Sequence, residues 1–235
     1  MLKIGDRMPS FEVMDQDGNM VKSEDFIGKG RRTIIYFYPK DNTSGCTAEA
    51  CSFRDNYAAL TAAGYNVVGV SKDSAKSHGG FRAKYELPFR LLADTSMQML
   101  QDFGAWGEKK MYGKSTMGTL RRTFIFDESG ILERIIEKVD TKNAAGQIIA
   151  GMPASAKEHA ERIVRVQAME AAFDRLSAAG AGTDPTDITL LKEYMDSGLW
   201  RLDYEADEAG EIPSTVKRGV LSEDGLYNLL TDLGA

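Results

Sequence analysis

An α/β fold, a mixed sheet flanked by helices and followed by a small all-α segment, is what this chain predicts. Three observations carry that expectation. Apolar, β-branched runs alternate with stretches of helical spacing over residues 1–154. A β-hairpin pattern closes that stretch. In residues 155–235 the strand signal disappears and only helical spacing remains.

The elements follow in order. Phe11 to Met14, a turn at Asp15-Gln16-Asp17-Gly18 and Met20 to Lys22 read as a hairpin. Thr33-Ile34-Ile35-Tyr36-Phe37-Tyr38 is a continuous apolar run, the pattern of a buried strand. Thr47 to Leu60 carries good helix formers with apolar residues at helical spacing. Asn66 to Ser71 is a second apolar strand, Ser77 to Tyr85 a short helix, and Leu91 to Asp94 a short strand. Thr123 to Asp127, a turn at Glu128-Ser129-Gly130 and Ile131 to Val139 form the closing hairpin. Strand-helix-strand units first and a hairpin last imply a mixed sheet with helices on both faces, a thioredoxin-like architecture.

The predicted boundary lies after Gly151-Met152-Pro153, giving domains at 1–154 and 155–235. Ser155-x-x-Glu158 matches a capping box. Ile163, Val166, Met169, Phe173 and Leu176 keep helical spacing up to a stop at Ala178-Ala179-Gly180-Ala181-Gly182. A second helix is expected from Asp187 to Met195, stopped by Gly198, and a third from Ser222. Trp200, Leu221, Tyr227 and Leu230 supply a small core. The acids around Asp203 to Glu208 read as a solvated face rather than a metal site.

The net charge of −6 is unevenly spread. Residues 1–154 hold 21 Lys+Arg against 19 Asp+Glu, and residues 155–235 hold 8 against 16. An acidic tail argues against nucleic-acid binding. The start of the chain shows no apolar signal core, and no stretch reaches the length of a membrane span, so a cytoplasmic protein without a membrane partner is expected. Two cysteines do not make a secreted disulfide scaffold.

Cys46 and Cys51 hold the chemistry. Cys46 sits between a strand end and a helix start, where orphan N–H groups favour an anion and so a thiolate. Cys51 follows five residues later. Within one helix that spacing means about 7.5 Å of rise and a rotation near 140°. A disulfide between them would need the first turns to unravel. A metal site lacks ligands, since the only histidines are His78 and His159, and a CxxC exchanger is excluded by the spacing. Two inert core thiols remain the alternative to a peroxide-reacting thiol with a resolving partner. His78 reads as a cap or surface residue, and His159 is assigned no role.

Pro39, Thr43 and Cys46 reproduce a P-x-x-x-T-x-x-C motif. With Cys46 to Asp55, Ser71-Lys72-Asp73-Ser74, His78 with Phe81, Leu91 to Asp94, and Trp106 to Lys114, residues 1–150 resemble the peroxiredoxins, in particular the bacterioferritin comigratory protein or peroxiredoxin Q subfamily. The resemblance implies a thiol peroxidase reducing hydrogen peroxide and organic hydroperoxides, with thioredoxin or a similar thiol as reductant and no cofactor or metal. A monomer or weak homodimer is expected.

Peroxide attack by a thiolate needs donors around both oxygens, because charge develops on the leaving one. The Thr43 hydroxyl and the Cys46 N–H can serve, and Pro39, with no N–H, shields the thiolate from water. The family places an arginine before the late strand. Arg121 resembles it more closely than its neighbour Arg122, and Glu49 is similar to the carboxylate that holds it. Cys51, the only other cysteine, is the resolver if resolution occurs within the chain. The tail resembles a small helical family of unknown function, which implies no activity. A redox adaptor, in which Cys46 oxidation changes what the acidic tail binds, is the competing class of function.

Overall fold

The structure, a computed structural model, describes residues 2–111, 114–179 and 184–233. It divides into two compact units, Met1–Met152 and Pro153–Ala235.

The first unit is built on a seven-stranded mixed sheet in the order β2-β1-β5-β4-β3-β8-β9. The strands are β1 Glu12–Asp15, β2 Met20–Lys22, β3 Arg32–Phe37, β4 Tyr65–Ser71, β5 Arg90–Ala93, β8 Arg122–Phe126 and β9 Leu132–Ile136. β3, β4 and β5 run parallel, and β8 joins β3 antiparallel with Phe37 opposite Arg122. The expected mixed thioredoxin-like sheet is therefore present. Alternation along β3 explains its unbroken apolar run. Ile35 and Phe37 point into a core with Phe103, Phe124 and Phe126, while the Tyr36 ring packs tilted against Phe53 of the cysteine helix, with centroids 4.7 Å apart.

That helix starts earlier than predicted. α1 spans Ser44–Asp55 with Thr43 as N-cap, and α2 follows at Tyr57–Ala62. The break has a local cause: the Asn56 side chain donates to the Ser52 carbonyl at 2.9 Å, competing with the helix ladder. α3 is Ala75–Tyr85, opened by Ser74, whose hydroxyl accepts from the Ser77 N–H.

Three pieces escaped the sequence reading. α4 (Gln98–Asp102) and α5 (Ala144–Ala150) are too short to show a period. β6 (Trp106–Met111) and β7 (Lys114–Thr119) form a separate two-stranded sheet. Its lysine and glycine content hides its strand character. Tyr112 and Gly113, part of the motif at Trp106 to Lys114, lie outside the described residues.

The second unit is helical: α6 Ala154–Ala179, α7 Pro185–Asp196, α8 Leu199–Glu208, a 3-10 turn at Gly219–Leu221 and α9 Glu223–Asp232. α6 begins at Ala154, so Ser155 is its second residue and not the predicted cap. The expected stop at Gly180 to Gly182 lies outside the described residues. Asp184 caps α7 through the Thr186 N–H, with Pro185 in the first position. α8 was not predicted as a helix. Its acids are not a uniform solvated face, because Asp203 is fully buried against Arg165 and Tyr194. Ile163, Val166, Leu176, Leu191, Val220, Leu221 and Leu230 form the core, whereas Tyr227 is exposed.

Candidate active site

Cys46 is the third residue of α1, inside the first turn, where backbone N–H groups have no intrahelical partner. Its side chain is nearly covered, with 1% of the residue exposed. The Arg121 guanidinium, just ahead of β8, reaches over it. Arg121 Nη2 donates to Cys46 Sγ at 3.3 Å, and Nη1 is paired with the Glu49 carboxylate. Glu49 is one turn beyond Cys46 on α1 and is fully buried. Cys46, Glu49 and Arg121 thus meet at one point, and the arginine is held in place from the cysteine's own helix.

Burial pushes the Glu49 carboxyl from its ordinary 4.5 up to about 7, with the Arg121 charge and hydrogen bond pulling against it. The other carboxylate oxygen, Oε1, has no hydrogen-bond partner, and neither does the buried Tyr36 hydroxyl beneath it in the sheet. Tyr36 fits there because Gly69 on β4 has no side chain. A Cβ on Gly69 would stand 2.7 Å from the Tyr36 ring.

The loop between β3 and α1 carries Pro39 and Thr43. Asn42 takes a left-handed φ of 58°, which asparagine tolerates. The Thr43 hydroxyl donates to the Lys40 carbonyl at 3.1 Å. That differs from the expectation of a donor aimed at substrate. With its hydrogen committed, the hydroxyl presents lone pairs and is suited to accept the peroxide's O–H. Pro39, Leu120 and Arg121 line a cavity of about 550 Å³, joined by Lys109 and Lys138. Arg122 lines the same cavity, but its guanidinium is committed to other partners, donating to the Gly104 carbonyl at 2.6 Å and pairing with Glu137 at 2.9 Å.

Cys51 lies on the same helix, half-buried, and both thiols are free. With α1 intact, about 7.5 Å of helical rise separates them.

His78 corrects the sequence reading. It is neither a cap nor on the surface but completely buried, beside Asp41 and Tyr38. A signal was available: Phe81 follows His78 by one helical turn, so the two share the inward face of α3. Asp41 and Tyr38 were missed outright, because nothing in their local spacing distinguishes them from loop and strand residues. Among the described residues no cluster of His, Cys, Asp or Glu could hold a metal ion.

The AhpC/TSA family profile matches residues 4–135, and a domain of unknown function, DUF4298, matches residues 164–234. Peroxiredoxin Bcp of Escherichia coli is 40% identical over 159 residues, covering 68% of this chain and 98% of that protein. Among solved structures, the bacterioferritin comigratory protein of Xanthomonas campestris is 33% identical with a TM-score of 0.57, covering 64% of this chain and 92% of that one. Peroxiredoxin Q of Xylella fastidiosa, in a mutant form, is 28% identical with a TM-score of 0.59, covering 63% and 93%. A profile spanning more than half of the chain, and relatives matched over nearly their whole length, fall on the unit that holds Cys46: the chain belongs to the AhpC/TSA family, as a peroxiredoxin of the bacterioferritin comigratory protein and peroxiredoxin Q type.

Proposed function

We propose that this peroxidase reduces hydrogen peroxide and organic hydroperoxides through Cys46, resolves the product with Cys51, and is recycled by thioredoxin in the cytoplasm. The observation that carries the reading is the Arg121 guanidinium, 3.3 Å from the Cys46 sulfur and anchored by Glu49. A fixed cation there favours thiolate over thiol and remains in place for charge that develops on the peroxide oxygens.

The Cys46 thiolate attacks one peroxide oxygen. The S–O bond forms as the O–O bond breaks, sulfur loses two electrons, and the leaving alkoxide takes a proton to become alcohol, or water from hydrogen peroxide. Thr43 accepts from the peroxide's O–H, the helix N–H groups and Arg121 donate, and Pro39 screens the sulfur. Organic substrates are supported by the Xanthomonas relative, whose structure was studied for alkyl peroxide reduction, and by the cavity beside Pro39 and Leu120. The Cys46 sulfenic acid then condenses with the Cys51 thiol, forming an S–S bond and releasing water. Because α1 separates the two, its first turns unwind for this step. Two thiols of the reductant restore the dithiol by exchange.

The enzyme acts as a monomer or weak homodimer, without nucleic-acid or membrane partners. Among the described residues no helix is long and apolar enough to cross a membrane. The two units divide the work: 1–154 carries the chemistry, and 155–235 is an added helical module. Coupled NADPH turnover with thioredoxin and its reductase tests the cycle, with thiol masses read after one equivalent of peroxide. Cys46→Ser is expected to lose both oxidation and turnover. Cys51→Ser keeps one oxidation, loses turnover and accumulates over-oxidised Cys46. Thioredoxin-dependent turnover surviving in Cys51→Ser would remove Cys51 as resolver.

A further inference from the structure

Among the buried polar groups that the peroxide mechanism leaves unused is the pair His78 and Asp41. His78, on α3, has 0% side-chain exposure, and its partner Asp41 has 2%. Both ring nitrogens face acceptors. Nε2 lies 3.1 Å from the Leu92 carbonyl on β5, which can only accept, so Nε2 carries a hydrogen. Nδ1 lies 2.9 Å and 3.1 Å from the two Asp41 carboxylate oxygens. Those oxygens already receive the Tyr38 hydroxyl at 2.8 Å and the Ser77 hydroxyl at 2.7 Å. A carboxylate that collects two hydroxyl donors behaves as an ionised acceptor. A bare Nδ1 lone pair against those oxygens would be repulsive, so Nδ1 needs a hydrogen as well. The titratable groups facing the ring are Tyr38, from the end of β3, and Asp41; Asp73 stands one hydrogen bond further, accepting from the Asp41 N–H at 2.8 Å.

We propose that His78 is a positioning residue for the peroxide reaction: doubly protonated, it forms a buried ion pair with Asp41 that fixes the loop carrying Pro39 and Thr43 against α3 and β5. Asp41 lies two residues from Pro39 and two from Thr43. It is tied to β3 through Tyr38 and to α3 through Ser77 and His78, and His78 is itself anchored on β5. Its own N–H is held by Asp73, which also accepts from Ser71 at the end of β4. The ends of β3 and β4, with β5 and α3, thus converge on one residue of the loop, the β4 end through the Asp41 N–H and the others through its carboxylate. Without the imidazolium, Asp41 becomes an uncompensated buried charge and is driven toward water, taking Pro39 and Thr43 out of register with Cys46.

Two measurements test this. Nitrogen-15 NMR of the reduced wild-type protein at neutral pH should show hydrogen on both His78 nitrogens; a lone pair on Nδ1 would overturn the proposal whatever the kinetics. Single-turnover oxidation of Cys46 by hydrogen peroxide should slow at least about tenfold in His78→Gln, the scale expected for a small misplacement of reacting groups. Alkylation of Cys46 by iodoacetamide, which needs neither Pro39 nor Thr43, should stay at the wild-type rate. Asp41→Asn with His78→Gln removes both charges and should recover much of the peroxide rate. Wild-type oxidation in His78→Gln, or peroxide and iodoacetamide rates falling together, would also overturn it. The kinetic arm rests on Cys46 being the peroxide-reactive thiol. If Cys46→Ser still consumed peroxide, that reading would fail while the NMR result stood on its own.

Discussion

The two units differ in what stands beside their buried charges. In the helical unit, ionic groups close on one another. Asp203 takes both arms of Arg165 and the Tyr194 hydroxyl, and Asp187 takes both arms of Arg175, while Glu170 accepts the Val220 N–H through one oxygen and leaves the other without a hydrogen bond, 3.4 Å from the Lys217 ammonium. In the peroxidase unit the buried groups at the thiol keep capacity in reserve. Glu49 has one oxygen without a hydrogen-bond partner, Tyr36 has an unpartnered hydroxyl, and Arg121 spends a donor on a sulfur. A saturated cluster rigidifies a fold, whereas an unsaturated one can still interact with a reacting molecule. Each unit leaves a buried carboxylate oxygen without a hydrogen bond, so the contrast lies in the thiol that stands beside Arg121 and Glu49, whereas residues 155–235 contain no cysteine.

The largest effect expected from breaking this contrast is at the guanidinium. Arg121→Ala should slow peroxide oxidation of Cys46 by about 10²-fold, the scale of one lost preorganised donor. Arg122→Ala, which removes only contacts to Gly104 and Glu137, should do much less. Stopped-flow kinetics on both variants decides the matter, and the reverse ranking would show that the wrong arginine faces the thiol. A comparable cut in the helical unit should affect stability and not rate. Arg165→Leu leaves the buried Asp203 carboxylate with Tyr194 and a more distant Arg162 at 3.7 Å. It should destabilise that unit by about 3 kcal/mol, measured by denaturant unfolding, without changing Cys46 oxidation.

How much of this was legible beforehand depended on range. The β3 run, the cysteine helix and the closing hairpin each carry their own period, so the sheet and the place of Cys46 could be read locally. Arg121 came from its position before Thr123-Phe124, because the pairing of Phe37 with Arg122 across β3 and β8 is a long-range fact with no local trace. Tyr38, Asp41 and His78 failed for the same reason. Asp41 looks like a turn residue and His78 like a helix-surface residue until β5 brings the Leu92 carbonyl against the ring. Asp203 resembled the solvated acids around it, since its partners Arg165 and Tyr194 lie on other helices.

A smaller effect concerns pH. Burial raises the Glu49 carboxyl to about 7, so the folded state holds that proton more tightly than the unfolded chain. The resulting stability is fully present below pH 4.5 and is lost as pH rises through about 7. Denaturant midpoints across that range should therefore fall with rising pH in the wild type and flatten in Glu49→Gln. An unchanged slope in the variant would show that Glu49 is not the group responsible.

The smallest expected effect is the sharpest test of the comparison. If the helical unit is built on its own core, removing it should leave the thiol chemistry untouched. α6 buries Ile163, Val166 and Leu176, and it packs on α7 and the 3-10 turn, which bury Leu191 and Val220, all within Pro153–Ala235. A chain ending at residue 154 should then oxidise Cys46 with hydrogen peroxide at the full-length rate and turn over with the same reductant. Aggregation of that chain, rescued by supplying 155–235 as a separate polypeptide, would mean that an apolar face of the first unit needs cover. A soluble truncated enzyme with a slow Cys46 would be more damaging, because the cluster around Arg121 would then depend on a unit that contributes no cysteine, and the division between the two regions would fail.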